Sequence, residues 1–124
     1  MASQISPEEM KIYKRTARER WRAEQDSQNA RRKHAWDLAR QAAQLLKNEF
    51  DVERVVLFGS LIQAGRFTQW SDVDLAAWGL TSKNWLTAMA AVRQLSGEIE
   101  VNLVDVETCS PELLAVIERE GEHL

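Results

Sequence analysis

Cysteine is nearly absent from this chain. Cys109 stands alone, so no internal disulfide can form, which fits a reducing cytoplasm. No Cys/His cluster suggests zinc. No apolar run approaches the ~20 residues that a membrane-spanning helix needs. Nor does a basic start lead into an apolar core and cleavage site, so neither a membrane contact nor a secretory leader is expected. Proline occurs only twice, at Pro7 and Pro111, each directly after a serine. Against these absences stand 28% charged and 44% hydrophobic residues over 124 positions. That balance excludes global disorder and suits one packed domain of ordinary size.

Charge is unevenly spread. Residues 1–36 hold nine Lys/Arg against five Asp/Glu, and residues 37–124 hold seven against fourteen. A basic arm therefore precedes an acidic body, and we divide the chain into an arm over 1–35 and a domain over 36–124. Ser6-Pro7-Glu8-Glu9 is a helix start, with Ser6 as cap, Pro7 in the first turn and Glu9 completing a capping box. From there to Phe50 there is no glycine and no further proline. Asp26-Ser27-Gln28-Asn29 favours caps and turns, so two helices are expected, with one long helix as the alternative. The second carries a core-facing stripe of Trp36, Ala39, Ala43 and Leu46, joined by Ala42, Leu45 and Phe50. The first offers Ile12, Tyr13 and Trp21 among charges. It can meet a partner or a second copy, remain a solvated helix, or contact nucleic acid.

The centre of the chain is the stretch Leu57 to Trp78. Val55-Val56-Leu57-Phe58 reads as a strand that stops at Gly59-Ser60. Asp72-Val73-Asp74 then runs into Leu75-Ala76-Ala77-Trp78, a second strand. Residues two apart on a strand share a face, so Asp72 and Asp74 point together, roughly 6.5 Å apart along the chain. Paired carboxylates repel, and one resists ionising unless a cation joins them. Mg²⁺ takes one or two carboxylates plus substrate phosphates. Gly59 lets the backbone approach such a ligand, Ser60 adds a hydroxyl, and a following helical turn over 61–64 would face an anion with its amides. The plainer reading is a surface Asp pair after an ordinary turn.

Thr81 or Ser82 caps the next expected helix, whose apolar face is Trp85, Leu86, Met89, Val92 and Leu95, ending at Gly97. Ile99, Val101 and Leu103 then alternate with Glu100, Asn102 and Val104 as a third strand. Ser110-Pro111-Glu112 opens a last helix. Phe67 and Trp70 are expected to pack the loop between the halves of the motif. The order helix, strand, turn, strand, helix, strand, helix makes an α/β (α+β) domain.

The ordered set Gly59-Ser60, a spacer, then Ser71-Asp72-Val73-Asp74 resembles the signature of the DNA polymerase beta-type nucleotidyltransferase superfamily. "LFGS…SDVDLA" is similar to its small branch, the minimal nucleotidyltransferases. The resemblance covers about Arg54 to Asp105. It implies a mixed sheet with helices packed on one face and chemistry on the other. It implies an enzyme that moves NMP, AMP above all, from ATP or another NTP to a hydroxyl acceptor. Asp72 and Asp74 would hold two Mg²⁺ ions, with nucleotide contacts from Gly59, Ser60, Arg66 and Ser71. Relatives carry an Arg-Gly pair early in the loop where this chain has Ala64-Gly65, so Arg66 either reaches the triphosphate or stays solvated.

Enzymes of this kind use a third carboxylate on the next strand, and the matching position here is Asn102, an amide. Glu100, on the same strand face, can substitute as the catalytic base. A partner chain can complete the site, or the site is impaired and binds nucleotide alone, with Asn102 as a further contact. Asp105 points to the opposite face. Minimal relatives also pair with a small helical HEPN-type ribonuclease toxin as its antitoxin. The resemblance thus implies such a partner beside the nucleotide, with self-association through the arm as a further option.

Overall fold

The computed structural model describes residues 5–63 and 65–124. Its first element, α1 (Pro7–Glu49), starts as the sequence requires. Ser6 Oγ accepts the Glu9 N–H at 3.1 Å, and Glu9 Oε2 accepts the Ser6 N–H at 3.3 Å. The expected break at Asp26–Asn29 does not occur, and α1 is one helix of 43 residues. The physical reason is small per-residue cost. Asp, Ser and Asn lose only up to ~0.7 kcal/mol each against Ala in a helix, and without Gly or Pro nothing stops propagation.

The two halves of α1 differ in surroundings. Every residue from 7 to 30 is exposed, whereas Ala35, Leu38, Ala39, Ala42, Ala43 and Leu46 are buried. That buried stripe packs on a sheet of order β3-β2-β1-β4. Its strands are β1 (Arg54–Phe58), β2 (Val73–Trp78), β3 (Val101–Asp105) and β4 (Glu122–His123). β1 pairs antiparallel with both β2 and β4, and β2 pairs parallel with β3. The sheet is thus mixed, as expected. β4 was not legible, because two exposed residues carry no strand pattern.

Alternation sorts the strand side chains. Val55, Leu57, Val73, Leu75, Ala77, Val101 and Leu103 face α1 and α2 (Trp85–Arg93) in the larger core. Val56, Phe58 and Ala76 face the other way, where α3 (Pro111–Glu120) packs through Ile117. Helices on one face therefore describes α1 and α2, while α3 covers part of the opposite face and leaves its Asp74 end open. Gly121 permits that closure. A Cβ there would lie 2.2 Å from Val56 Cγ1 and 2.4 Å from the Ile117 carbonyl oxygen.

Local details depart from expectation at four places. Thr81 does cap, its Oγ accepting the Asn84 N–H at 3.3 Å while Asn84 Oδ1 accepts the Thr81 N–H at 2.8 Å, but α2 ends at Arg93, before Gly97. Leu86 is 64% exposed and does not join the apolar face. Phe67 is buried, but Trp70 is 82% exposed. The turn after Gly59 is a 3₁₀ turn over Ser60–Ile62. The 61–64 turn expected from the sequence extends to Ala64, which lies outside the described residues. No helix among those described is long and apolar enough to cross a membrane.

Candidate nucleotide site

The site sits at the end of β1 and the start of β2. Their antiparallel register pairs Phe58 with Asp74, so Gly59 and Ser60 leave the sheet beside the carboxylates. Gly59 has φ +85°, in the region that favours glycine. A Cβ on Gly59 would lie 2.6 Å from Asp74 Oδ2. The bare backbone is what lets that carboxylate rest against the turn. Ser60, half-buried, opens the 3₁₀ turn.

The parallel register between β2 and β3 sets Asp74 beside Asn102. Asn102 Nδ2 donates to Asp72 Oδ2 and to Asp74 Oδ1, both at 3.3 Å. One amide thus bridges the two acids. Arg93, the last residue of α2, donates from Nη2 to Asn102 Oδ1 at 3.2 Å. The same nitrogen lies 3.5 Å from Glu100 Oε1. Burial raises the Asp74 carboxyl above its ordinary value; the Asn102 hydrogen bond opposes this, and the charges of Asp72 and Glu100 add to it.

The loop between the motif halves is tied down from α1. Arg31 Nε donates to the Thr68 carbonyl at 3.3 Å and Nη2 to the Ser71 carbonyl at 3.2 Å. Its guanidinium also lies 5.7 Å from the Phe67 ring centroid. Ser71 Oγ accepts the Thr68 N–H at 2.9 Å, so this hydroxyl shapes the loop just before Asp72. Arg66 is exposed in the same loop. Asp105 Oδ1 accepts the Glu107 N–H at 3.1 Å in the turn after β3, away from the acid pair.

Asp72, Asp74, Asn102 and Gly59 are therefore gathered at one corner, with Ser60 next after Gly59, Ser71 directly before Asp72, and Arg66 exposed in the loop that joins the two halves. Glu100 lies near the pair but is engaged by Arg93. No group of three or more His, Cys, Asp or Glu side chains suited to a metal gathers among the described residues. Arg31 and Arg93 are the residues that sequence reasoning missed. Each acts through contacts distant along the chain, for which the sequence has no local signal.

No curated protein matches the chain. Among solved structures, a chain of a mutant toxin–antitoxin MntA–HpeT is 26% identical, with TM-score 0.55, covering 68% of this chain and 69% of that one. A structure described as a candidate minimal nucleotidyltransferase is 25% identical, with TM-score 0.50, covering 80% of this chain and 94% of that one. A toxin–antitoxin crystallised with AMP-PNP shares the fold at 21% identity and TM-score 0.57, over 68% of this chain and 70% of that one. The family model for "Polymerase beta, Nucleotidyltransferase" matches residues 40–124. More than half the chain falls within that match, and the chain belongs to the polymerase beta nucleotidyltransferase family.

Proposed function

We propose that this chain moves NMP, AMP above all, from a magnesium-bound NTP to a hydroxyl acceptor, as the antitoxin of a HEPN-type ribonuclease toxin. The observation that carries the reading is the acid pair joined through Asn102 beside the bare backbone of Gly59. Hard oxygen donors on one side of a strand suit Mg²⁺, and burial makes charge on Asp74 costly until a cation arrives. Asp72 and Asp74, whose oxygens face one amide across a shared corner, are the residues that would hold the metal. When bound, the ions neutralise the triphosphate and polarise the phosphoryl oxygens.

The chain's own groups take the remaining roles. Gly59 and Ser60 receive the β- and γ-phosphates, and Ser71 and Arg66 border them. The acceptor hydroxyl oxygen bonds to the α-phosphorus, the bond to the bridging oxygen breaks, and pyrophosphate leaves. The hydroxyl proton goes to Glu100. Positioning provides most of the acceleration. The similar toxin–antitoxin chain supports the antitoxin role. In this division the domain over 36–124 does the chemistry, and the arm over 1–35 serves association.

One observation favours a second reading. Arg93 holds both Glu100 and the Asn102 carbonyl oxygen, so the best replacement base is already paired. Losing a catalytic base costs ~10²–10⁴-fold in rate, and such a chain would bind nucleotide and act on its toxin by binding alone. Incubation with labelled ATP, Mg²⁺ and a candidate toxin separates the readings. Label transfer that disappears with Asp72→Ala plus Asp74→Ala supports transfer at this site. Nucleotide binding without turnover supports the second reading, and transfer that survives the double substitution contradicts both.

A further inference from the structure

Asn102 stands between two kinds of neighbour. On one side are the carboxylates of Asp72 and Asp74, each 3.3 Å from its Nδ2. On the other is the Arg93 guanidinium, whose Nη2 lies 3.2 Å from Asn102 Oδ1. These neighbours decide which way the amide points. A guanidinium donates and never accepts, and an ionised carboxylate only accepts. Oδ1 must therefore face Arg93, and the amino group must face the acids. The reversed amide would set N–H against N–H on the arginine side and oxygen against oxygen on the acid side.

The fold keeps Arg93 in that place. It is the last residue of α2, directly after the buried Val92, and α2 packs against β3. A cation at a helix C-terminus is favoured by the backbone dipoles. Glu100 Oε1 lies 3.5 Å from the same Nη2 and gives the guanidinium a second anchor two residues before Asn102.

This arrangement works against a cation at the acids. Hard divalent cations take oxygen ligands, and the one oxygen that Asn102 owns is turned away from the acid pair. We propose that Arg93 is a positioning residue that holds Asn102 with its amino group toward Asp72 and Asp74, and so denies a divalent cation the amide oxygen as a third ligand. The inference rests on the reading of the acid pair as a metal seat. With no metal bound, the amide N–H groups satisfy both acids. A cation has to displace those hydrogen bonds and gains no third oxygen in return. Without Arg93 nothing opposes the turn of the amide, and Oδ1 becomes free to face the cation.

Calorimetric titration of Mn²⁺ alone into the full chain, with no nucleotide, reads this directly, since Mn²⁺ prefers the same oxygen ligands. Arg93→Met should tighten Mn²⁺ binding. Loss of the positive charge and release of Glu100 also favour the metal, but they act alike whether or not Asn102 is present, so a double-mutant cycle separates them. The gain from Arg93→Met should be about tenfold larger in the parent than in the Asn102→Ala background, the worth of one hydrogen bond to a charged group. The Arg93 side chain is half exposed and Asn102 is half-buried, so neither change empties the core, and thermal unfolding checks each variant before titration. Equal gains in the two backgrounds show Arg93 acting by its charge alone and overturn the proposal. A parent that binds Mn²⁺ no more weakly than Arg93→Met overturns it too, while the metal seat stands. Mn²⁺ uptake that survives Asp72→Ala plus Asp74→Ala, or no uptake by either the parent or Arg93→Met, removes the seat itself and the proposal with it.

Discussion

Asp74 is the residue on which local physics bears hardest. Its carboxyl is raised because burial disfavours the charge, with Asp72 and Glu100 adding repulsion against the Asn102 hydrogen bond. The folded state therefore holds this proton more tightly than the unfolded chain does, and stability falls as pH rises from the ordinary value of 3.8 through the raised one. Asp74→Asn keeps an acceptor for Asn102 and removes the charge. Its thermal midpoint should exceed that of the parent at neutral pH, and the gap should close as pH falls below the ordinary carboxylate range. Gly59→Ala forces a non-glycine residue to φ +85° and drives Cβ against Asp74 Oδ2. We expect a loss of about 1–3 kcal/mol in urea denaturation, together with weaker Mn²⁺ binding. Period-two alternation made the acid pair legible, and Gly59-Ser60 was legible as the end of an apolar run. Asn102 was legible as an oddity. Its role as donor to both acids was not, because that depends on strand register and on Arg93 nine residues earlier.

Elements tell the same story at longer range. Ser6 and Ser110 both cap as their sequences announce, and Ser110 Oγ accepts the Leu113 N–H at 3.2 Å. Local rules worked wherever cap and first turn adjoin in sequence. They failed at Asp26–Asn29, where weak propensities were outvoted, and at Leu86 and Trp70, where spacing alone cannot say which side of a short helix or loop is covered. The continuous α1 joins an unsupported half to a packed half, and substitutions should divide accordingly. Leu46→Ala removes a fully buried side chain and should cost about 2–5 kcal/mol. Trp21→Ala should leave the urea midpoint of the domain unchanged. Arg31→Ala should cost about 1–3 kcal/mol and speed hydrogen exchange at the Ser71 amide, which bonds the Thr68 carbonyl at 3.1 Å.

Across the whole molecule, an acidic α/β body holds a polar corner open on one side of its sheet, while a basic helix extends past it. The body's fold class and element order were readable because its strands and helices each carry an unmixed period. The partial cover from α3 and the edge strand β4 were not, since both depend on how Gly121 lets the last helix close on Val56. The central claim is that Asp72 and Asp74, beside Gly59-Ser60, form a seat for a metal-bound nucleotide. Calorimetric titration of ATP with Mg²⁺ into the parent and into Asp72→Ala plus Asp74→Ala tests it most directly. The account predicts saturable binding near one nucleotide per chain in the parent, and none in the variant or in the parent without Mg²⁺. Binding that persists in the variant, or a parent that takes up no nucleotide, would contradict it.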